Sequence, residues 1–262
     1  MYFVDSHCHL NFPDFKGKEA EIIANAKQAG IERFLTACTR LSEVSELIDL
    51  THKFSEVFAS VGIHPEYATE QGVSDVSVDD ICVLTTDPKI VAIGEAGLDY
   101  HYGAEETRQA QIDLFRIHLR AAKAAKLPII IHTREAEDDT IALLEEEKSP
   151  DLTGVLHCFS SEKRLAEKGL ELGFYLSASG IITFKSADAL RDIFSTVPMD
   201  RLLLETDAPY LAPVPYRGRK NESAYMIKTA EMLASLKNIG MEKLQRQTTE
   251  NFFTLFSKAQ IK

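Results

Sequence analysis

Two histidines separated by one residue stand near the start of the chain, in the run DSHCH at residues 5–9. Apolar residues precede them and predict a β-strand, in which alternate side chains share a face. His7 and His9 are therefore expected on one face, about 7 Å apart, from which both rings can bind one divalent ion. Cys8 points to the other face, which disfavours a thiolate ligand.

Further histidines and carboxylates follow other strand-like runs of the chain. Each stands where a short β-branched run gives way to a loop: His64, Glu95, His132, His157, Glu205 and Asp207. A single such residue would be an ordinary polar strand end, but so many in series indicate a shared site. Imidazole and carboxylate groups together suit divalent cations of borderline hardness. His52 and His118 fall inside predicted helices, and neither is assigned a role.

The arrangement predicts two divalent ions that Glu95 bridges, since its carboxylate has one oxygen for each. The first ion takes His7, His9 and Asp207, and the second takes His132 and His157. Two ions roughly 3.5–4 Å apart can orient a water, lower its pKa and stabilise a developing oxyanion. A two-metal hydrolytic site is the chemistry that this set predicts.

Three residues are candidates for proton transfer. Glu205 and Asp207 stand two residues apart, so both are expected to face inward. One of them binds metal while the other accepts a proton from the attacking water, and the spacing leaves open which does which. His64 is needed by neither ion and is expected to donate to a leaving oxygen or to contact a phosphate, with simple burial at the edge of the site as the alternative.

These residues can meet only if their strands run parallel and end at one edge. Eight strand-like runs alternate with amphipathic stretches along the 262 residues. The predicted strands are Phe3–His7, Phe34–Cys38, Val57–Ile63, Ile90–Glu95, Pro128–His132, Gly154–Cys158, Phe174–Ser177 and Arg201–Glu205. Eight such units in about 250 residues predict one α/β domain over residues 1–262, a (β/α)8 TIM barrel. An open doubly wound sheet is the alternative.

Helical periodicity fills the intervals between these strands. The predicted helices are Glu19–Ala29, Leu41–Lys53, Glu106–Ala125, Glu135–Lys148, Glu162–Leu172, Ala187–Phe194, Ser223–Lys237 and Glu242–Ser257. Val73–Thr86 has the weakest helical pattern. No GxGxxG follows an early strand and no GxxxxGK[ST] occurs, which argues against a nucleotide-phosphate loop.

Composition indicates a globular protein rather than a membrane-spanning or disordered one. Hydrophobic residues make up 45% and charged residues 26% of the chain, and no apolar run approaches the roughly 18–20 residues of a membrane span. Charged Asp5 and two histidines occupy the region where a signal peptide would be apolar, so a cytoplasmic protein is expected. The protein is also expected to be a monomer. The four cysteines form no CxxC pair and are expected to be free thiols.

Taken with their neighbours, these motifs resemble the TatD family of metal-dependent deoxyribonucleases. The matching stretches, in the family's order, are Asp5–Leu10, Val61–Pro65, Gly94–Tyr100, Pro128–Arg134, Leu156–Ser160, Glu205–Leu211 and Arg217–Glu222. The resemblance implies a barrel of the metal-dependent hydrolase type that cleaves DNA phosphodiesters, with Mg²⁺ as the usual ion and Zn²⁺, Mn²⁺ or Ni²⁺ as alternatives. The resemblance also implies which residues bind metal: His7, His9, Glu95, His132, His157 and Asp207.

Two positions depart from the family pattern. Ser223 stands where proline commonly follows Asn-Glu, and Ser161 stands where glycine is frequent. Neither is a predicted ligand, so loop shape and substrate preference are the properties left open. A related branch of barrel hydrolases bridges its metals with a carboxylated lysine after the fourth strand, and Glu95 at that position argues against that branch.

The net charge of −11 opposes nonspecific binding of a polyanion. Phosphate contacts are nevertheless expected from arginines on loops near the site, namely Arg134, Arg217 and Arg219. Tyr210 is expected to stack on a base, with packing of its loop as the alternative. No recognition motif for a specific DNA sequence occurs.

These features together predict a hydrolase that removes nucleotides from single-stranded DNA without reading its sequence. An alternative keeps the metals but changes the substrate to an ester or amide, as in the deacylation of D-aminoacyl-tRNA. A binding protein that has lost activity is the third possibility, and it is disfavoured because no predicted ligand is missing.

Overall fold

The computed structural model describes residues 1–101 and 104–260. Its strands run parallel, and each pairs with the next in chain order. They are β1 Phe3–Cys8, β2 Ile31–Thr36, β3 Val57–Val61, β4 Ile90–Asp99, β5 Ile129–Arg134, β6 Gly154–Leu156, β7 Tyr175–Ala178 and β8 Leu202–Leu204. A parallel bridge between Cys8 and Ala208 joins the end of β1 to the segment after β8 and nearly closes the sheet into a barrel.

The helices are α1 Glu19–Gln28, α2 Val44–Lys53, α3 Val78–Leu84, α4 Ala104–Ala125, α5 Glu137–Glu146, α6 Lys163–Glu171, α7 Asp188–Thr196, α8 Met226–Leu236 and α9 Met241–Leu255. Helices α1 to α7 lie between successive strands along the chain, and α8 and α9 follow β8. The predicted (β/α)8 barrel is confirmed, and the weak pattern over Val73–Thr86 contains a 3-10 turn followed by α3. Among the described residues, no helix combines the length and apolar character that crossing a bilayer requires.

Apolar side chains fill the barrel at the amino-terminal ends of its strands. One buried cluster draws on every strand and on α9, and it includes Val4, Leu35, Phe58, Val91, Ile130, Val155, Tyr175, Leu203, Phe252 and Phe256. Helix α9 is tied to this end because Thr249 and Asn251 donate hydrogen bonds to carbonyls of Tyr2 and Leu202. The opposite end, which we call the carboxyl-terminal rim, holds the polar residues that follow the strands.

Two strands lose regular register at predicted ligands. Strand β1 shifts within residues 5–8, and β4 shifts within residues 93–96. His7 and Glu95 lie inside these irregular stretches. Irregularities of this kind re-aim side chains next to active sites, and simple alternation along a strand does not predict them.

The seam between β1 and β8 is held by buried polar contacts. The carboxylate of Asp5 accepts hydrogen bonds from the backbone N–H and the hydroxyl of Thr206, at 3.0 and 2.6 Å. The side chain of Asn221 donates to the carbonyl of Thr206 at 3.0 Å. The backbone N–H of Asp207 donates to the carbonyl of His7 at 2.9 Å. These bonds fix Asp207 relative to the first pair of histidines.

Strand ends differ from the predicted ones at the rim. Strand β4 continues to Asp99, so the prediction that Glu95 ends its strand is wrong. Strands β6 and β8 end earlier than predicted, at Leu156 and Leu204, so the site residues beyond them lie in the following loops. Gly97 permits this extension of β4, because it has φ +151° and lies in contact with β5.

Gly97 is required where β4 passes His132. The two residues pair across β4 and β5, and a Cβ on Gly97 would lie 1.9 Å from the carbonyl oxygen of His132. We therefore expect Gly97→Ala to lower the free energy of unfolding by about 1–3 kcal/mol or more, measured by urea denaturation. Gly240→Ala is the comparison: φ is −73° there and nothing lies within 4 Å of the added methyl, so it should lose only the preference for glycine over alanine at the N-cap of α9, below about 1 kcal/mol. Equal stability of both variants would contradict the proposed steric role of Gly97.

Candidate metal centre

The carboxylate of Glu95 lies at the centre of the residues that the sequence singled out. Its Oε2 lies 3.2 Å from Nε2 of His7 and 3.6 Å from Nε2 of His9. Its Oε1 lies 2.8 Å from Nε2 of His157 and 3.1 Å from Nδ1 of His132. The two oxygens therefore face two different pairs of imidazoles.

Asp207 lies with the pair of histidines that faces Oε2 of Glu95. Its Oδ1 is 3.4 Å from Nε2 of His9 and 3.7 Å from Nε2 of His7. The two Nε2 atoms are themselves 3.3 Å apart, so both rings point to one place, as strand alternation predicts. Asp207 reaches this position in a left-handed turn with φ 56°, directly after β8. The structure thus brings together the residues predicted for the first ion.

His64 lies with the other pair, which the sequence analysis did not expect. Its Nε2 is 3.5 Å from Oε1 of Glu95, and its ring centroid is 4.5 Å from that of His132. The backbone N–H of Glu66 donates to Nδ1 of His64 at 3.2 Å. Because Nδ1 is an acceptor, the neutral ring carries its proton on Nε2, the atom that faces the cluster.

Glu205 and Asp207 both face inward, as their spacing predicts, but they lie at different depths. The side chain of Glu205 is fully buried, whereas 15% of the Asp207 side chain is exposed. Oε1 of Glu205 lies 3.4 Å from Nδ1 of His157, on the side of that ring away from Glu95. Of these two carboxylates, only that of Asp207 is accessible from the rim.

Asp99 is a contact that the sequence analysis missed. Its Oδ2 lies 3.0 Å from Nε2 of His132, so that ring stands between the carboxylates of Asp99 and Glu95. The signal was present in the spacing, because Asp99 follows Glu95 by four residues and alternate strand positions share a face. This spacing places Asp99 at the site only if β4 is predicted to continue past Glu95.

The surroundings keep two carboxylates ionised. Burial raises the pKa of Glu95, but the charges of His157 and His7 outweigh it and hold that pKa well below its usual value. Burial also raises the pKa of Asp207, and the hydrogen bond from His9, together with nearby histidine charge, brings it below its usual value. Ionised carboxylates are the form that binds cations.

The donor set fits a divalent cation. Ring nitrogens and carboxylate oxygens in groups of three lie within 4.8 Å of one another, and one such group is His7, His9 and Glu95. Within residues 1–101 and 104–260, the Nδ1 atoms of His7 and His9 are buried without a hydrogen-bond partner, so no acceptor in that part of the chain fixes the orientation of these rings. A cation on the Nε2 side would orient them and use their lone pairs.

An exposed aromatic corner adjoins the cluster at β1 and β8. The ring of Phe12 stacks on that of His9, with centroids 4.4 Å apart and planes at 21°. Tyr210 is 54% exposed and meets Phe12 edge to face at 6.2 Å. The predicted stacking residue is therefore available to a ligand at the rim.

The three predicted arginines are all exposed on this side of the barrel. Arg134 ends β5, and Arg217 and Arg219 follow β8. The guanidinium of Arg217 lies over the ring of Phe184, 3.9 Å from its centroid, a contact that fixes its position above the loop after β7. The residues predicted for phosphate contact thus stand at the end of β5 or in the loop after β8, exposed to solvent.

Comparisons with known proteins identify the family and the fold. The family model described as TatD related DNase matches residues 4–257. The Escherichia coli (strain K12) protein "Uncharacterized metal-dependent hydrolase YcfH" is 42% identical over 259 residues, which cover 98% of this chain and 96% of that protein. "Uncharacterized metal-dependent hydrolase YabD" of Bacillus subtilis (strain 168) is 36% identical over 252 residues, covering 96% and 98%. The crystal structure of YjjV, a TatD homologue from Escherichia coli K12, superposes with a TM-score of 0.90 at 29% identity, covering 97% and 98%.

Glu95→Gln tests whether this carboxylate is the centre of a metal site. The amide keeps the shape of the side chain but cannot offer two anionic oxygens, so the rise in melting temperature on adding MnCl₂ should disappear. Ligand at about 100 times its dissociation constant stabilises a protein by about 2.7 kcal/mol, which differential scanning fluorimetry resolves easily. Glu242→Gln, at the exposed start of α9, should keep the full shift. The same shift in Glu95→Gln as in the unaltered protein would remove Glu95 from the site.

Proposed function

The chain belongs to the TatD-related DNase family of metal-dependent hydrolases, and from that premise we propose that it hydrolyses DNA phosphodiester bonds, removing nucleotides from the ends of single strands. The observation that carries the proposal is the division of the Glu95 carboxylate between two sets of imidazoles. Exposed arginines and an aromatic corner around that cluster suit a nucleotide substrate.

The residues would hold two divalent ions, one on each side of Glu95. His7, His9 and Asp207 would complete the site beside Oε2, and His132 and His157 would complete the site beside Oε1. When bound, such ions supply positive charge that polarises a phosphoryl oxygen and makes an attacking water more acidic. Mg²⁺ is the ion we propose, and the imidazole-rich ligand set also suits Mn²⁺, Zn²⁺ or Ni²⁺.

Proton transfer is proposed for the residues that face the rim. Asp207 is proposed to take both roles, as a ligand through the Oδ1 that faces His7 and His9 and as the acceptor of the water's proton through its other oxygen, because it is the more exposed of the two candidate carboxylates. Glu205 is fully buried against Nδ1 of His157, where it can fix the orientation of that ring instead. His64 presents its Nε2–H at the cluster and can donate a hydrogen bond to a phosphate oxygen.

Substrate contacts are proposed for the residues around the cluster. Arg134, Arg217 and Arg219 contact phosphates, which positions a strand without reading its sequence. Tyr210, with Phe12 beside it, stacks on a base. These contacts explain how a chain with a net charge of −11 can bind a polyanion through local groups.

Single-stranded DNA and an aminoacyl ester distinguish the two substrate classes. We expect release of mononucleotides from an end-labelled DNA strand, activity that stops with chelator and is absent in Glu95→Gln. Separate 5′ and 3′ labels identify the end that is attacked, and an RNA strand of the same sequence tests the sugar. Hydrolysis of a D-aminoacyl-tRNA under the same conditions, with no cleavage of DNA, would replace the nuclease proposal by the deacylase alternative.

The salt dependence of binding tests the arginines. Each phosphate contact on a single strand contributes about −0.7 to the slope of log affinity against log salt, so three or four contacts give roughly −2 to −3. Arg217→Ala should make the slope shallower by about 0.7, because a contact that releases counterions is lost. A non-hydrolysable strand titrated at several salt concentrations, with metal fixed, measures this.

Arg246→Ala is the matched control for this measurement. It removes the same charge from an exposed position on α9, the helix at the amino-terminal end of the barrel. Its slope should equal that of the unaltered protein. An unchanged slope in Arg217→Ala, with a lower melting temperature, would mean that this side chain only packs on Phe184.

A further inference from the structure

A buried histidine on α4 binds the backbone next to His64. His118 is fully buried, 55 positions after the residue it contacts. Its Nε2 accepts a hydrogen bond from the backbone N–H of Ile63 at 3.0 Å. Its Nδ1 lies 2.8 Å from the carbonyl oxygen of Leu114, one turn earlier in the helix. Both ring nitrogens therefore have partners.

These two partners allow only one form of the ring. The carbonyl of Leu114 is an acceptor, so Nδ1 carries the proton and donates it. Nε2 is then left with the lone pair that the N–H of Ile63 requires. Burial lowers the pKa of His118 to about 4, so the ring is neutral across the physiological range.

The amide that His118 binds lies between β3 and His64. Ile63 is 3% exposed, and without an acceptor its N–H would be buried and unpaired, at a cost of about 1–3 kcal/mol. The next amide, that of His64, donates to the carbonyl of Thr39 at 2.9 Å. The Nδ1 atom of His64 is in turn held by Glu66. Two successive amides and the ring are thus fixed, and His118 supplies the contact that comes from outside the rim loops.

We propose that His118 is a positioning residue: by holding the amide of Ile63 it sets where Nε2 of His64 stands relative to Glu95 and the substrate. The proposal rests on the role proposed for His64 as a hydrogen-bond donor to a phosphate oxygen. The position of the His64 ring affects the reaction rate, because a misplacement of about 1 Å can lower a rate by about 100-fold. A leucine at residue 118 would fill the space but could not accept the bond.

Three substitutions separate the hydrogen bond from simple packing. In His118→Gln the Oε1 atom can occupy the place of Nε2 and accept from Ile63. His118→Leu cannot accept, and in His118→Asn the amide is too short to reach Ile63 while it stays polar. Hydrogen exchange of the Ile63 amide, measured on metal-free protein, should be fast in the Leu and Asn variants and slow in the Gln variant. Slow exchange in all three would overturn the proposal.

Turnover should follow the same pattern. His118→Leu and His118→Asn are expected to lower kcat by about 10- to 100-fold with a smaller change in KM, and His118→Gln should restore most of the loss. If His118→Leu does not fold, His118→Asn carries the test. Phe115→Leu, a buried change on the same helix, is the control and should keep kcat within about twofold. An equal loss of kcat in Phe115→Leu would mean that only packing of α4 matters.

A double-mutant cycle tests whether His118 acts through His64. In the His64→Ala background, His118→Leu should cost little further activity, because the group it positions is already gone. Equal losses in both backgrounds, or unchanged activity of His64→Ala, would overturn the proposal. The cycle is run on whichever substrate the unaltered protein hydrolyses, so failure to cleave DNA refutes the proposed function without deciding the role of His118.

Discussion

A carboxylate buried among five imidazoles is the interaction on which the rest of the molecule depends. Only 4% of the Glu95 side chain is exposed, and an unpaired charge at that depth would cost several kcal/mol. The partners that make it stable come from β1, β5 and the segments after β3 and β6, so those strands must end at one level. A closed parallel sheet satisfies this requirement because it brings all its carboxyl ends to one rim.

The fold and most of the cluster can be predicted from sequence patterns that each span only a few residues. Alternating apolar runs and amphipathic stretches predict the barrel, and the HxH spacing predicts that His7 and His9 point to one place. The division of Glu95 between two sets of ligands could be predicted because a carboxylate has two oxygens and the strands have a fixed order. The resemblance to the family implied the same ligand positions and added DNA as the expected substrate.

Other features could not be predicted because they depend on local irregularity or on distant contacts. The register shift within residues 93–96 and the close approach at Gly97 carry β4 on to Asp99, and strand alternation gives no sign of either. The spacing of Glu205 and Asp207 fixes their face but not their depth. His118 has the appearance of an ordinary helix residue, since its partner Ile63 lies 55 positions away.

Under the proposed function, the charge of the site would couple metal binding to DNA binding. Four carboxylates, those of Glu95, Asp99, Glu205 and Asp207, lie in or against the cluster, and without cations they oppose a phosphate. Two divalent ions would add about +4 and offset the charge of these carboxylates. The net charge of the chain is therefore a poor guide to its substrate, because a strand at the rim experiences the local field of the loaded cluster.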